Sequence, residues 1–179
     1  MTPMSHLYQA LLGRDWDSLP AVTRLLHAPD PAILLEGHVD IERGGNPVAH
    51  LVAMLLGLPR AGAGQPALVR VSRDGDGELL ERWYDGRHFA TWQGREAGLL
   101  VERFGPFRLS FALAMDAGVL RFRQRDVALW GIALPQVLAP TIVASERGDV
   151  QSHRFDVMLR LPLLGQIIRY RGELRPAEE

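Results

Sequence analysis

The sequence predicts an α+β chain dominated by β structure: about eight to nine mostly antiparallel strands in a barrel-like or strongly curved sheet, with two to three helices in the first third. Three observations predict it. Residues 107–115 place Phe107, Leu109, Phe111, Leu113 and Met115 on one face at a period of two, opposite Arg108, Ser110 and two alanines. That alternation marks a sheet with one apolar face. Similar segments follow one another through short turns, whereas parallel pairing would need crossovers of a dozen or more residues. Helical spacing is confined to residues 1–58. Closure into a barrel would remove the edges of such long strands.

The elements follow in order. Ser5 is placed to cap a short helix carrying Leu7, Leu11 and Leu12 and stopped by Gly13. A second helix follows Ser18-Leu19-Pro20 and ends at Pro29-Asp30-Pro31. Ile33, Leu35, Val39 and Ile41 alternate with Glu36, His38, Asp40 and Glu42 as a first strand, broken by Gly44-Gly45-Asn46-Pro47. Residues 48–58 form a third, strongly apolar helix, and 59–66 read as a flexible loop. Strands are expected at 68–73, 79–84, 88–92, 99–104, 107–115, 119–127, 141–146, 151–161 and 166–174, with Asp85-Gly86 as a hairpin turn. One domain spans 1–179, with a helix-rich capping segment at 1–58 and an antiparallel body at 67–175.

Composition excludes several chemistries. There is no Cys, which removes disulfides, thiolate catalysis and cysteine metal sites. There is no Lys: all 20 basic residues are Arg, a bias expected of a GC-rich bacterial genome, and without Lys Schiff-base and P-loop lysine chemistry are impossible. A net charge of −1 favours neither nucleic acid nor an anionic surface overall. The first residues lack a basic segment followed by an apolar core, and no apolar run reaches the roughly 18 residues of a membrane span. A cytoplasmic protein with no cofactor and no membrane span is the expectation.

Motifs for catalysis are lacking. The six histidines show no HxH, HExxH or HxxEH spacing. His38, between Glu36 and Asp40, reads as part of a solvated strand face, and His50 as a partly buried helix residue. The serines lack a GxSxG elbow or SxxK spacing, and Gly62 and Gly64 give no dinucleotide fingerprint. Arg121, Arg123 and Arg125 form one basic stripe, and Arg169 and Arg171 a second pair. Each could bind an anion through the guanidinium fork; the plainer reading is an exposed face paired to neighbouring acids. Asp156 shares a face with Arg154, Met158 and Arg160. If that face looked inward, a buried Asp–Arg pair would serve either architecture or a ligand.

The motifs Val101-Glu102-Arg103-Phe104-Gly105-Pro106, Gly131-Ile132-Ala133-Leu134-Pro135, Leu138-Ala139-Pro140, Ala144-Ser145-Glu146, Phe155-Asp156-Val157, Leu161-Pro162-Leu163-Leu164-Gly165 and Tyr170-Arg171-Gly172-Glu173-Leu174 occur in that order. With Leu7-Tyr8-Gln9-Ala10-Leu11-Leu12-Gly13 and Leu55-Leu56-Gly57-Leu58-Pro59, they resemble an uncharacterised bacterial family, domain of unknown function 4166. The resemblance spans nearly the whole chain. It implies an accessory or ligand-binding module, because members occur alone, beside saccharopine-dehydrogenase-like domains, or in membrane proteins. Leu80 departs from the family, which tends to have Trp there. Arg82, Glu102, Glu146, Asp156 and Tyr170 are the polar positions inside these motifs.

Three functions compete. The leading one is a non-enzymatic module binding an apolar or amphipathic small molecule, with Arg82, Glu102, Phe111, Leu113, Phe122, Glu146, Asp156 and Tyr170 as candidate ligand-binding residues. The second is an accessory module for a partner oxidoreductase, or for self-association, through an apolar face. The third is an enzyme (cyclase, isomerase or hydrolase) using a carboxylate with Arg or Tyr inside the barrel.

Overall fold

The computed structural model describes residues 6–177. Helices α1 (Leu7–Leu12) and α2 (Ala21–Leu26) flank a 3-10 turn (Gly13–Ser18), and β1 (Ala32–Arg43) leads into α3 (Pro47–Leu55). Then come β2 (Gly62–Asp74), β3 (Gly77–Tyr84), β4 (Arg87–Glu96), β5 (Leu99–Phe104), β6 (Phe107–Asp116) and β7 (Val119–Leu129). After the two-residue β8 (Ile132–Ala133) the chain finishes with β9 (Thr141–Gly148), β10 (His153–Leu161) and β11 (Gly165–Pro176). The order β6-β5-β4-β3-β2-β1-β11-β10-β9-β7, with β6 also paired to β7, closes an antiparallel barrel of ten strands, and β8 is an extra fragment on β7.

Closure is uneven around the ring. β6 and β7 pair from Phe107–Leu129 to Asp116–Val119, whereas β7 and β9 meet only at Leu120–Glu146, Arg121–Ser145 and Phe122–Ala144. Beyond that point a side chain replaces the ladder. Gln124 donates from Nε2 to the Pro140 carbonyl at 2.8 Å and accepts the Ile142 N–H at 2.7 Å.

Several expected elements differ in their limits. Ser5 lies outside the described residues, and α1 begins after His6. The segment read as a flexible loop over 59–66 is partly strand, because β2 begins at Gly62. Gly62 pairs with Ile41 across a bulge between Val39 and Ile41, and Asp40 Oδ1 accepts the Gly64 N–H at 2.7 Å. Here Gly and Pro mark an irregular strand end rather than its absence. α3 stops at Leu55 and the chain reverses through Gly57 at φ 66°. At its start Asn46 accepts the Val48 N–H at 2.9 Å, with Pro47 in the first turn.

The helices close opposite ends. α1, the 3-10 turn and α2 plug the end where β4 finishes and β10 begins, burying Leu7, Tyr8, Leu12, Trp16 and Leu19 with Leu100, Phe111 and Leu120. α3 lies across the other end, where β1 finishes and β2 begins. It turns Ala49 and Ala53 inward, both 0% exposed. Arg43 ties the chain beyond α3 to β1, donating to the carbonyls of Leu58 (2.6 Å) and Pro59 (2.7 Å from Nη2, 3.0 Å from Nε).

Gly172 in β11 faces inward, and the ring of Phe155 occupies the space its side chain would take. Gly172→Ala is therefore expected to destabilise the protein by about 1–3 kcal/mol through overpacking, read as a lower denaturation midpoint in urea.

Candidate functional site

Closing ten strands leaves a hollow. Its volume is about 250 Å3, and its walls are Leu80, Phe89, Phe104, Phe107, Leu109, Phe111, Phe122, Ile142, Ala144, Val157, Leu159, Leu161 and Ile168, roofed by Val52, Leu56 and Leu58 around α3. All come from the inward phase of their strands, since alternate residues share a face. The polar lining is short: Tyr8, Arg82, Thr91, Gln93, Glu102, Glu146 and Tyr170.

These polar groups form two stations. Midway along the barrel Arg82 donates to Thr91 Oγ1 at 3.2 Å and to Glu102 Oε1 at 3.3 Å, and its guanidinium lies 5.2 Å from the Phe89 ring centre. Burial alone would lower the Arg82 pKa, but the charge of Glu102, helped by Tyr170 and Tyr84, raises it. The Tyr170 hydroxyl beside it is pushed up by burial, with Arg82 opposing and Glu102 adding.

The second station lies against the plug. His27 Nε2 donates to Glu146 Oε2 at 2.6 Å, Thr23 Oγ1 bonds His153 Nδ1 at 3.0 Å, and the Tyr8 hydroxyl donates to Gln93 Oε1 at 3.1 Å. Tyr8 also stacks on His27 with ring centres 3.6 Å apart. Burial alone would raise the Glu146 carboxyl; the charge and hydrogen bond of His27, with His153 and Arg82 further off, outweigh it and hold the pKa down. His153 is pushed down to about 4, chiefly by burial, with Glu146 opposing and His27 adding. Glu78 is 3% exposed and its Oε2 has no partner. Burial pushes its carboxyl up, partly offset by His27, the Leu7 N–H and Arg73.

Of the eight sequence candidates, Arg82, Glu102, Phe111, Phe122, Glu146 and Tyr170 share this hollow. Two do not. Leu113 packs into the cluster beneath the plug. Asp156 lies on the outer wall, 38% exposed and bridged by Arg169 Nε at 2.9 Å and Nη2 at 2.6 Å. The inward phase of β10 is that of Phe155, Val157 and Leu159, so Asp156 stands opposite. Sequence reasoning missed His27, Thr23, Gln93, Glu78 and His153. His27 and Glu146 are 119 residues apart, and only the plug brings them together.

The basic stripes are on the outside. Arg121 pairs with Asp116, Arg169 with Asp156, and Arg171 with Glu42. An open groove of about 490 Å3 between Arg121, Arg147, Arg154 and Arg171 also holds Asp40, Asp156 and Glu173. Its charges largely answer each other at the solvent face, so the apolar hollow inside the barrel is the better candidate. Among the described residues no group of three or more His, Asp or Glu side chains could hold a metal ion, and no helix is long and apolar enough to cross a membrane.

The fold and the hollow define a closed β-barrel with an apolar, lidded interior. The model for domain of unknown function 4166 (DUF4166) matches residues 19–174, and the chain belongs to that family. No curated protein matches it. Two solved structures are similar in outline. One is a "secretary abundant heat soluble (SAHS) protein" from Ramazzottius varieornatus, with 11% identity over 80% of this chain and 93% of that one, at a TM-score of 0.42. The other is Rv2717c from M. tuberculosis, with 13% identity over 89% and 98%, at a TM-score of 0.48. Both likenesses are too distant to bear on function.

The buried histidine sets a pH dependence. The folded state withholds a proton from His153 that the unfolded chain binds below its ordinary 6.5. Its contribution is complete above that value and declines as pH falls toward 4, by up to about 1.4 kcal/mol per pH unit. The depressed Glu146 extends the loss at lower pH. Urea midpoints are expected to fall between pH 6.5 and 5, less than His153 alone would give because the raised Glu78 carboxyl opposes it, and His153→Asn, which keeps an acceptor for Thr23, is expected to flatten that slope.

Proposed function

We propose that this barrel is a non-enzymatic binding module for an apolar or amphipathic small molecule, held in the lumen and exchanged past α3. The observation that carries the reading is the mostly apolar hollow of about 250 Å3 inside the barrel with a few convergent polar groups, the usual character of a small-molecule site. The volume lies below the roughly 300–1,000 Å3 of drug-sized pockets, which favours one slender chain over a fused polycycle. Arg82 is already paired with Glu102, so a hydroxyl, carbonyl or amide head group suits the first station better than a bare carboxylate.

An enzymatic reading is weaker. The lining holds no serine, and its carboxylates Glu102 and Glu146 are bonded to Arg82 and His27. We place the module in the cytoplasm, where a partner oxidoreductase could use what it carries.

The test is retention of ligand. Native mass spectrometry of protein purified from its host is expected to show a bound small molecule, and 1-anilinonaphthalene-8-sulfonate to fluoresce in the emptied barrel. Ala144→Trp, which fills the lumen, is expected to weaken binding of the probe at least tenfold; Leu159→Phe is the milder variant should the first misfold. Absence of any bound mass together with probe binding indifferent to both substitutions would sink the reading.

A further inference from the structure

The two ends of the barrel differ in a way the lumen does not require. Thirteen large apolar side chains are exposed among the described residues, and nine of them sit on the connections at the α3 end. α3 is apolar on both faces. Ala49 and Ala53 face the barrel, while Leu51, Met54 and Leu55 are 49%, 64% and 75% exposed. A helix that only closed a barrel would turn its large apolar residues inward. The neighbouring loops continue the collar with Trp130 at 79%, Val137 at 76% and Leu163 fully exposed.

Charge is segregated along the same axis. α3 carries no charged residue, and the α3-end connections at 44–61, 85–86, 105–106, 130–140 and 162–164 contain only one acid, Asp85. Arg60 lies within them, and the strand ends beside them add the exposed Arg87 and Arg160, with Arg43 close enough to Arg60 and Arg87 to feel both charges; the exposed acid among these strand ends, Glu42, is paired with Arg171. The opposite turns and the strand ends beside them carry Asp74, Asp76, Glu96, Asp116 and Asp149, against Arg73, Arg95 and Arg147. A net charge of −1 conceals this polarity.

We propose that the α3 end is a docking face for an anionic lipid bilayer, with α3 lying in the interface and the arginines meeting lipid phosphates. An uncharged apolar stripe rimmed by arginines is what an interfacial helix needs, and each basic residue adds attraction to anionic lipid. Bare protein partners would explain the apolar collar but not the exclusion of acids from it. The face also touches the lumen, because Val52 and Leu56 roof the hollow while Leu51 and Leu55 face outward. Exchange of ligand at the bilayer rests on the reading of the lumen as a binding site; the docking itself does not.

Vesicle sedimentation separates the two. Binding to phosphatidylcholine vesicles containing phosphatidylglycerol is expected to exceed binding to phosphatidylcholine alone at least tenfold at low salt, and to fall as salt rises. Trp130 emission is expected to shift to the blue and to be quenched by brominated lipid, a response lost in Trp130→Phe. Leu51→Glu with Leu55→Glu is expected to abolish binding, and Arg60→Glu with Arg87→Glu to remove the preference for anionic vesicles. Both variants should still take up the lumen probe, so a protein that docks without binding probe overturns only the ligand reading. Equal binding to both vesicle types, or an unquenched Trp130, overturns the docking. So does a dimer broken by the Leu51 and Leu55 substitutions in the absence of lipid binding, which would make the collar a contact between copies.

Discussion

Everything in this structure follows from closing the sheet. Ten antiparallel strands return on themselves when β7 pairs with both β6 and β9, so no long edge is left to seek a partner. Closure also fixes a width. An eight-stranded barrel is just wide enough for side chains to fill or to hold one small ligand; ten strands enclose more. Here the inward aromatics and leucines line the excess space without filling it. The weakest stretch of the ring is the β7–β9 seam, where three residue pairs and the side chain of Gln124 stand in for a full ladder.

The ends complete what the wall begins. At one end a plug of short helices brings Tyr8, Thr23 and His27 down onto Gln93, His153 and Glu146. Every bond in that layer joins the plug to a strand. Buried ionic groups are costly unless paired, and pairing across the plug ties its position to the barrel. At the other end α3 packs Ala49 and Ala53 against the barrel, roofs the lumen with Val52 and is fastened beyond its C-terminus by Arg43. One end is therefore held by a polar layer deep inside, and the other by a thin roof and a single guanidinium. Opening the second end would break fewer buried bonds.

The barrel was legible in the sequence because alternation is local. Phe107, Leu109 and Phe111 declare their face without reference to any other strand, and hairpin turns such as Asp85-Gly86 declare antiparallel order. What is inside was less legible, because facing depends on phase. Asp156 and Phe155 are neighbours in one strand, and only the closed ring decides that the phenylalanine looks inward. Arg82, Glu102 and Tyr170 share the right phase on three strands, whereas Leu113 has the right phase but lies too near the plug to reach the hollow. The His27–Glu146 bond had no local signal at all, since a histidine ending a short helix resembles any other. Gly62 to Pro66 misled for a different reason: glycine and proline also belong at bulged strand ends.

The central claim is that a ligand enters the barrel and lies between these walls. A methyl-NMR titration with decanol, an uncharged slender amphiphile, tests it most directly. Saturable shifts at Leu80, Leu159 and Ile168 inside the lumen, with Leu34 and Val150 on the outside unmoved, are the expected result. Shifts confined to the exposed Leu51, Leu55 and Leu163, or no saturable change at all, would contradict it.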